Sequence, residues 1–195
     1  MQSYPLSLSF KMMALNPQIR VTDSMGRLVL YVKQKAFKLR EDVTVFADEA
    51  QRVPLLRIKA DRIIDISATY TISNQSGLVV GAVRGHGLRS MWRSSFTILD
   101  ASGQDIGVIR EDNPWVKVAD GLLQEVPLVG WLAAMFVNPT YTAVLRGLPT
   151  LSLVKKPSFM ERHFVVERKA DIGDEDEQLL LASLVMMLLL MRGRG

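Results

Sequence analysis

The sequence predicts a mainly β protein (α+β), an antiparallel β-barrel of about 12 strands enclosing a buried hydrophobic C-terminal α-helix. Three observations carry this. Four turn-like segments recur at nearly even spacing with β-prone runs on both sides. Further strand-like runs follow at 141–167. The chain then closes on residues 179–191, an apolar run whose only polar member is Ser183. At 195 residues the default is one domain spanning 1–195, with enough chain for a sizeable core.

The turns are Asp23-Ser-Met-Gly26, Asp48-Glu-Ala-Gln51, Asn74-Gln-Ser-Gly77 and Asp100-Ala-Ser-Gly103, beginning 25, 26 and 26 positions apart. Asp or Asn at the first position caps its own backbone, and Gly tolerates a positive φ near the end. Gln51 stands where the others have Gly, so the second turn is the weakest of the set. Strands are expected before the turns at 18–22, 43–47, 68–72 and 95–99, and after them at 27–33, 53–59, 78–84 and 104–110. The returning runs end on Lys33, Lys59, Arg84 and Arg110. This is a series of four β-hairpins. A period near 25 also raises a solenoid, but the units share only turn chemistry and charge, which favours a hairpin meander.

After Arg110 the pattern changes. Pro114 suits the first position of a helix, and residues 115–124 are expected to form a short one. Residues 126–137 are apolar but contain Pro127 and Gly130, and are expected as a buried connector. Strands resume at 141–145, turn at 146–149, return at 150–154 and end at 163–167, so strands fill about 18–110 and 140–167. Leu6-Ser-Leu-Ser-Phe10 would supply a twelfth.

The terminal run decides between membrane and core. Its 13 residues make a helix roughly 20 Å long, whereas a bilayer core is about 30 Å thick. Asp174 to Glu177 on one side and Arg192 on the other block extension and complement the helix dipole. A helix apolar on every side and too short to span belongs in a core; it is expected at 176–191. A barrel of 11 or 12 strands leaves room for one, whereas about eight strands fill their own interior.

Composition narrows the chemistry. No cysteine is present, which removes disulfides and cysteine metal sites. No basic and apolar leader opens the chain, so a cytoplasmic location is expected, with a peripheral membrane position as its extension. His86 and His163 are too far apart in sequence to suggest a zinc motif. No Gly-x-Ser-x-Gly elbow occurs, and the glycine-rich stretch 81–87 lacks a phosphate-loop ending. Asn74-Gln-Ser76 matches a glycosylation acceptor that such a location would leave unused. No catalytic residue, cofactor or metal is expected.

Net charge is +4, and residues 1–62 carry 11 Lys and Arg against 6 Asp and Glu. The candidate ligand-binding residues are therefore basic. Arg84, His86, Arg89 and Arg93 cluster around a glycine-rich loop that carries Trp92. Lys33, Lys35, Lys38 and Arg40 follow the first hairpin. Such groups hold phosphate, although solvated charges that keep barrel edges soluble would look the same.

From about residue 15 to its end the chain resembles the LURP-one-related family of the tubby C-terminal-like superfamily, which includes the phospholipid scramblases. The resemblance rests on the hairpin series, on Leu30-Tyr-Val-Lys-Gln-Lys-Ala-Phe-Lys-Leu-Arg-Glu41, on residues 92–107, Trp92 through Gly107, and on the terminal hydrophobic helix. It implies a closed or nearly closed barrel of about a dozen strands around that helix. In relatives the barrel is associated with phosphoinositide binding, lipid scrambling or plant defence, and no catalytic residues come with it. Scramblases carry a calcium-linked acidic segment before their last helix. Asp171 and Asp174 to Glu177 stand in that place without a matching motif, and a helix cap explains them better. The expected function is a non-enzymatic binding module, with anionic phospholipid headgroups or another phosphorylated partner as ligand. A protein-interaction role and a scramblase-like membrane role are the alternatives; nucleic acid is not an expected partner.

Overall fold

The computed structural model describes residues 2–11, 17–33, 42–61, 68–85, 95–112, 140–156 and 162–192. Twelve strands alternate in direction: β1 (Leu6–Lys11), β2 (Gln18–Thr22), β3 (Leu28–Lys33), β4 (Asp42–Phe46), β5 (Pro54–Ala60), β6 (Thr69–Asn74), β7 (Val79–Gly85), β8 (Ser95–Asp100), β9 (Asp105–Asp112), β10 (Thr140–Leu145), β11 (Leu148–Lys156) and β12 (Arg162–Arg168). Each pairs antiparallel with its sequence neighbours, and β1 closes the barrel on β12 from Leu6↔Val166 to Phe10↔Arg162. The segment at 6–10 is thus the twelfth strand and the closing one. The predicted helix at 115–124 and connector at 126–137 lie outside the described residues.

Period-two alternation directs one set of side chains inward. Leu6, Leu8 and Phe10, Ile19 and Val21, Val43 and Val45, Leu56 and Ile58, and Phe164 and Val166 are all buried in one continuous core. At its centre runs α1 (Asp174–Arg192). Every residue from Leu179 to Leu189 is buried, which an outer-surface helix cannot achieve. At about 1.5 Å per residue its 19 residues reach roughly 28 Å, enough to run the length of the strands. The one polar residue within that stretch is satisfied locally: Ser183 Oγ donates to the Leu179 carbonyl at 2.7 Å. Gly81 on β7 brings wall and helix together, because a Cβ there would lie 2.5 Å from the Leu99 carbonyl oxygen and 2.8 Å from Leu179 Cδ1.

The turns repeat one geometry. Gly26, Gly77 and Gly103 have φ of 78°, 83° and 85°, and Gln51 takes the same left-handed region at 59°. In three turns the first residue's N–H donates to the carbonyl four positions on, as from Asp100 to Gln104. In the second, Ala47 N–H donates to the Val53 carbonyl, so the loop is longer where Gly is missing. The predicted turn at 146–149 is shorter than expected. Arg146 (φ 47°) and Gly147 (φ 82°) form a two-residue turn, and Leu148 already pairs with Leu145. Pro149 enters the strand at a register shift, where a missing N–H is tolerated.

Because the strands alternate, these five connections and the start of α1 share one end of the barrel, the hairpin rim. The other strand ends, from Lys11 and Gln18 to Lys156 and Arg162, lie at the opposite rim.

Candidate functional site

The hairpin rim is acidic and tied to the helix start. Arg168, at the end of β12, puts Nη2 2.6 Å from Glu177 Oε1, with the Glu177 side chain only 5% exposed. The Arg168 guanidinium stacks over the Tyr4 ring, 4.7 Å from its centroid. Burial pushes the Tyr4 hydroxyl up from its ordinary pKa, and the Glu177 carboxylate adds to that push. Tyr4 Oη and Arg168 Nε are buried without a well-formed hydrogen bond. One residue before Glu177 on α1, Asp176 accepts from Arg146 Nη1 and Nη2 at 2.6 and 3.1 Å. Asp176 and Glu177 therefore clamp α1 to the ends of β10 and β12, beyond complementing its dipole. Among the described residues no group of three or more His, Asp or Glu is placed to hold a metal ion.

The turn carboxylates of this rim are structural. Asp100 Oδ1 accepts from Ser102 Oγ at 2.7 Å and from Gln104 N–H at 2.9 Å; the serine bond, then the backbone bonds, hold its pKa below the usual carboxylate range. Asp48 is held low chiefly by the Val53 N–H. At Asp23 burial pushes the other way, but the Arg27 side chain and backbone N–H groups outweigh it and the pKa falls. Asn74 Oδ1 does the same work without a charge, accepting from Ser76 and Leu78 N–H groups at 3.0 Å.

The opposite rim collects basic strand ends: Lys11, Lys33, Arg84, Lys155, Lys156 and Arg162. The carboxylates there are engaged. Asp42 accepts from Arg57 Nε at 2.9 Å, Asp61 from Thr69 N–H at 3.0 Å, and Asp112 from Thr142 Oγ1 at 2.6 Å. On the inner side, burial raises the pKa of both Glu111 and Tyr141, which face each other in register.

Of the predicted site residues, Lys33 ends β3 exposed, and half-buried Arg84 on β7 donates from Nε to Thr69 Oγ1 at 3.3 Å. Both lie near the same rim, but four strand spacings separate them, roughly 19 Å along the wall at about 4.8 Å each. Lys35, Lys38, Arg40, His86, Arg89 and Arg93 lie outside the described residues.

The sequence reading missed a pocket of about 630 Å³ at the hairpin rim. Val29 and Leu30 of β3, Val45 of β4, Leu55 and Leu56 of β5 and Leu181 of α1 form its apolar walls. Ser76, Gln75, Asp174, Glu177 and Gln178 stand among its polar lining. It opens beside the weakest seam of the barrel, where β3 and β4 share a single register pair, Tyr31↔Phe46.

The fold and rims define a class: a closed, helix-filled 12-stranded antiparallel barrel with chemically opposite ends. No family model, curated protein or solved structure matches the chain.

Proposed function

We propose that this protein is a non-enzymatic binding module of the LURP-one-related kind that takes an anionic phospholipid headgroup, or another phosphorylated partner, on its basic rim. The observation that carries this reading is the separation of charge between the barrel ends. Lys11, Lys33, Arg84, Lys155, Lys156 and Arg162 gather at the opposite rim, while Asp171 and Asp174 to Glu177 gather at the hairpin rim. A molecule polarised in this way approaches an anionic surface basic end first. Binding through loops also leaves the core intact. A scramblase-like insertion of the tail would have to extract the buried stretch from Leu179 to Leu189 from the barrel, and among the described residues no helix is long and apolar enough to cross a membrane.

Vesicle co-sedimentation tests the reading. Vesicles of phosphatidylcholine with phosphatidylserine or phosphoinositide should retain the protein, and pure phosphatidylcholine should not. Added salt should weaken retention. Charge reversal at Lys155 and Lys156 should reduce it with no change in melting temperature. Equal binding to neutral vesicles, or binding to neither, would count against the proposal. A single stoichiometric protein recovered in pull-downs, with no lipid retention, would favour a protein partner instead.

A further inference from the structure

The pocket at the hairpin rim is built by two features of the fold. The first is a pair of β-bulges in its wall. Val21 faces Leu30 and Thr22 faces Leu28, so Val29 is an extra residue in β3. Val45 faces Leu56 and Phe46 faces Pro54, so Leu55 is the extra residue in β5. Both bulged side chains pack against the core and line the pocket beside Leu30 and Leu56, which strand alternation already buries. The second feature is the position of the helix. Gly81 of β7 has no side chain, Leu179 Cδ1 comes within 2.8 Å of where a Cβ would stand, and α1 makes its closest approach to β7 and β8. The wall of β3, β4 and β5 is left standing back from α1, with Leu181 lining the gap. At about 630 Å³ that gap falls within the roughly 300–1,000 Å³ of small-molecule sites.

The charges around the pocket are balanced. Glu177 accepts from Arg168 Nη2 at 2.6 Å, and Asp174 is engaged as well. Asp176, just outside, is closed by Arg146. Among the described residues no Lys or Arg lines the pocket. An ammonium head would have to compete with Arg168 for Glu177. A carboxylate head would lose its water with no cation to replace it. The remaining polar lining is uncharged. Gln2, Gln75 and Gln178 are exposed there, and each side-chain amide carries both donors and an acceptor. Ser76 adds a hydroxyl oxygen whose proton goes to Asn74 Oδ1. The aliphatic walls fit a hydrocarbon chain, and the amides fit a head that donates and accepts hydrogen bonds without carrying charge.

We infer that this pocket binds an amphiphile with one aliphatic chain and an uncharged hydrogen-bonding head, a hydroxyl or a carboxamide. The chain lies between α1 and the bulged wall of β3 and β5, and the head rests among Gln2, Gln75 and Gln178. The inference is independent of the phospholipid reading, which concerns the other end of the barrel and a charged head.

A matched set of eight-carbon probes tests it on the full-length protein at neutral pH: octanol, octanamide, octylamine and octanoate, each below its solubility or aggregation limit. Methyl NMR should show saturable shifts on Val29, Leu30, Leu56 and Leu181 with octanol and octanamide, and the stronger of the two identifies the preferred head. Octylamine and octanoate should each bind at least about tenfold more weakly than octanol. Hexanol should also bind about tenfold more weakly, because two fewer methylenes are buried. Gln75→Lys, at an exposed turn position, supplies the missing cation and should bring octanoate within about threefold of octanol. Leu55→Trp should fill the pocket and abolish the shifts while turn resonances stay in place. If that variant fails to fold, Val29→Phe at the other bulge narrows the same space. Either charged probe binding as tightly as octanol, hexanol binding as tightly as octanol, an octanoate affinity untouched by Gln75→Lys, or no saturable binding by any probe would each overturn the inference.

Discussion

Arg168 Nη2 stands 2.6 Å from Glu177 Oε1, and this pair joins the last barrel strand to the first turns of the helix that fills the barrel. Its two members differ in exposure: the Arg168 side chain is 16% exposed and Glu177 only 5%. Removing the carboxylate strands a cation in a half-dry site that already contains an orphaned Nε. Breaking a buried pair costs about 3–5 kcal/mol. Glu177→Ala should fall near the lower end, because some water reaches Arg168. The double change Arg168→Met with Glu177→Leu should recover most of the loss, since apolar replacement of such a pair is often neutral. Urea unfolding of the two single variants and the double variant measures the coupling. A double variant no more stable than Glu177→Ala would show that the pair is not what holds the helix start.

The terminal helix carries a larger share of stability than any pair. Leu179, Leu180, Leu181, Leu184, Val185, Met186, Met187, Leu188 and Leu189 are all buried. At about 1.5–3 kcal/mol per side chain, their burial exceeds the roughly 5–15 kcal/mol net stability of a domain. Deleting residues 178–195 should therefore abolish the folded barrel, with loss of cooperative melting by circular dichroism. Leu184→Asp places a carboxylate at a position only 1% exposed and should do the same. A cooperative melt from the truncated chain would refute the role of the helix as the core.

Much of this architecture was legible because its determinants are local. Asp23, Asn74 and Asp100 specify their turns with their own side chains, and the glycines three residues on specify the left-handed bend. The central helix was legible because residues 179–191 are apolar on every side and too few to span a bilayer. The pocket was not legible. Leu30, Val45, Leu56 and Leu181 read as ordinary core residues, and the gap between them lies beside the seam where β3 and β4 share one register pair, which no local pattern records. The ion pair of Glu177 was not legible for a similar reason. Glu177 reads as part of a helix cap, where it does stand, but the close approach of Arg168, nine residues earlier, follows from the fold.

The turn carboxylates predict the acid limb of stability. Asp23, Asp48 and Asp100 are all held below the usual carboxylate range. A depressed folded pKa contributes stability that is fully present above the unfolded value, near 4, and is lost as pH falls through the folded value. Stability should thus be flat from neutral pH to about 5 and decline below about 4. Asp100→Asn keeps the acceptor oxygen, as Asn74 does in its own turn, but cannot titrate. It should be close to the parent at pH 7 and show a shallower decline under acid. Denaturant midpoints between pH 7 and 2.5 test this, and an unchanged acid slope would remove Asp100 from the set.

Gly81 tests how tightly the wall grips the helix. A Cβ at this position would lie 2.5 Å from the Leu99 carbonyl oxygen and 2.8 and 2.9 Å from the two Cδ atoms of Leu179. Leu179 can turn its side chain, but the backbone carbonyl of β8 must move. Gly81→Ala should therefore cost about 1–3 kcal/mol, as overpacking of a well-filled core does. Adding Leu179→Ala relieves the contact with the helix but not the contact with β8. The double variant should be more stable than the sum of the two single losses implies, by about 0.5–1 kcal/mol, because the residues share one site. Strict additivity in urea unfolding would mean that the methyl strains only the sheet. A loss below about 0.5 kcal/mol for Gly81→Ala alone would mean that the helix sits more loosely in the barrel than these distances imply.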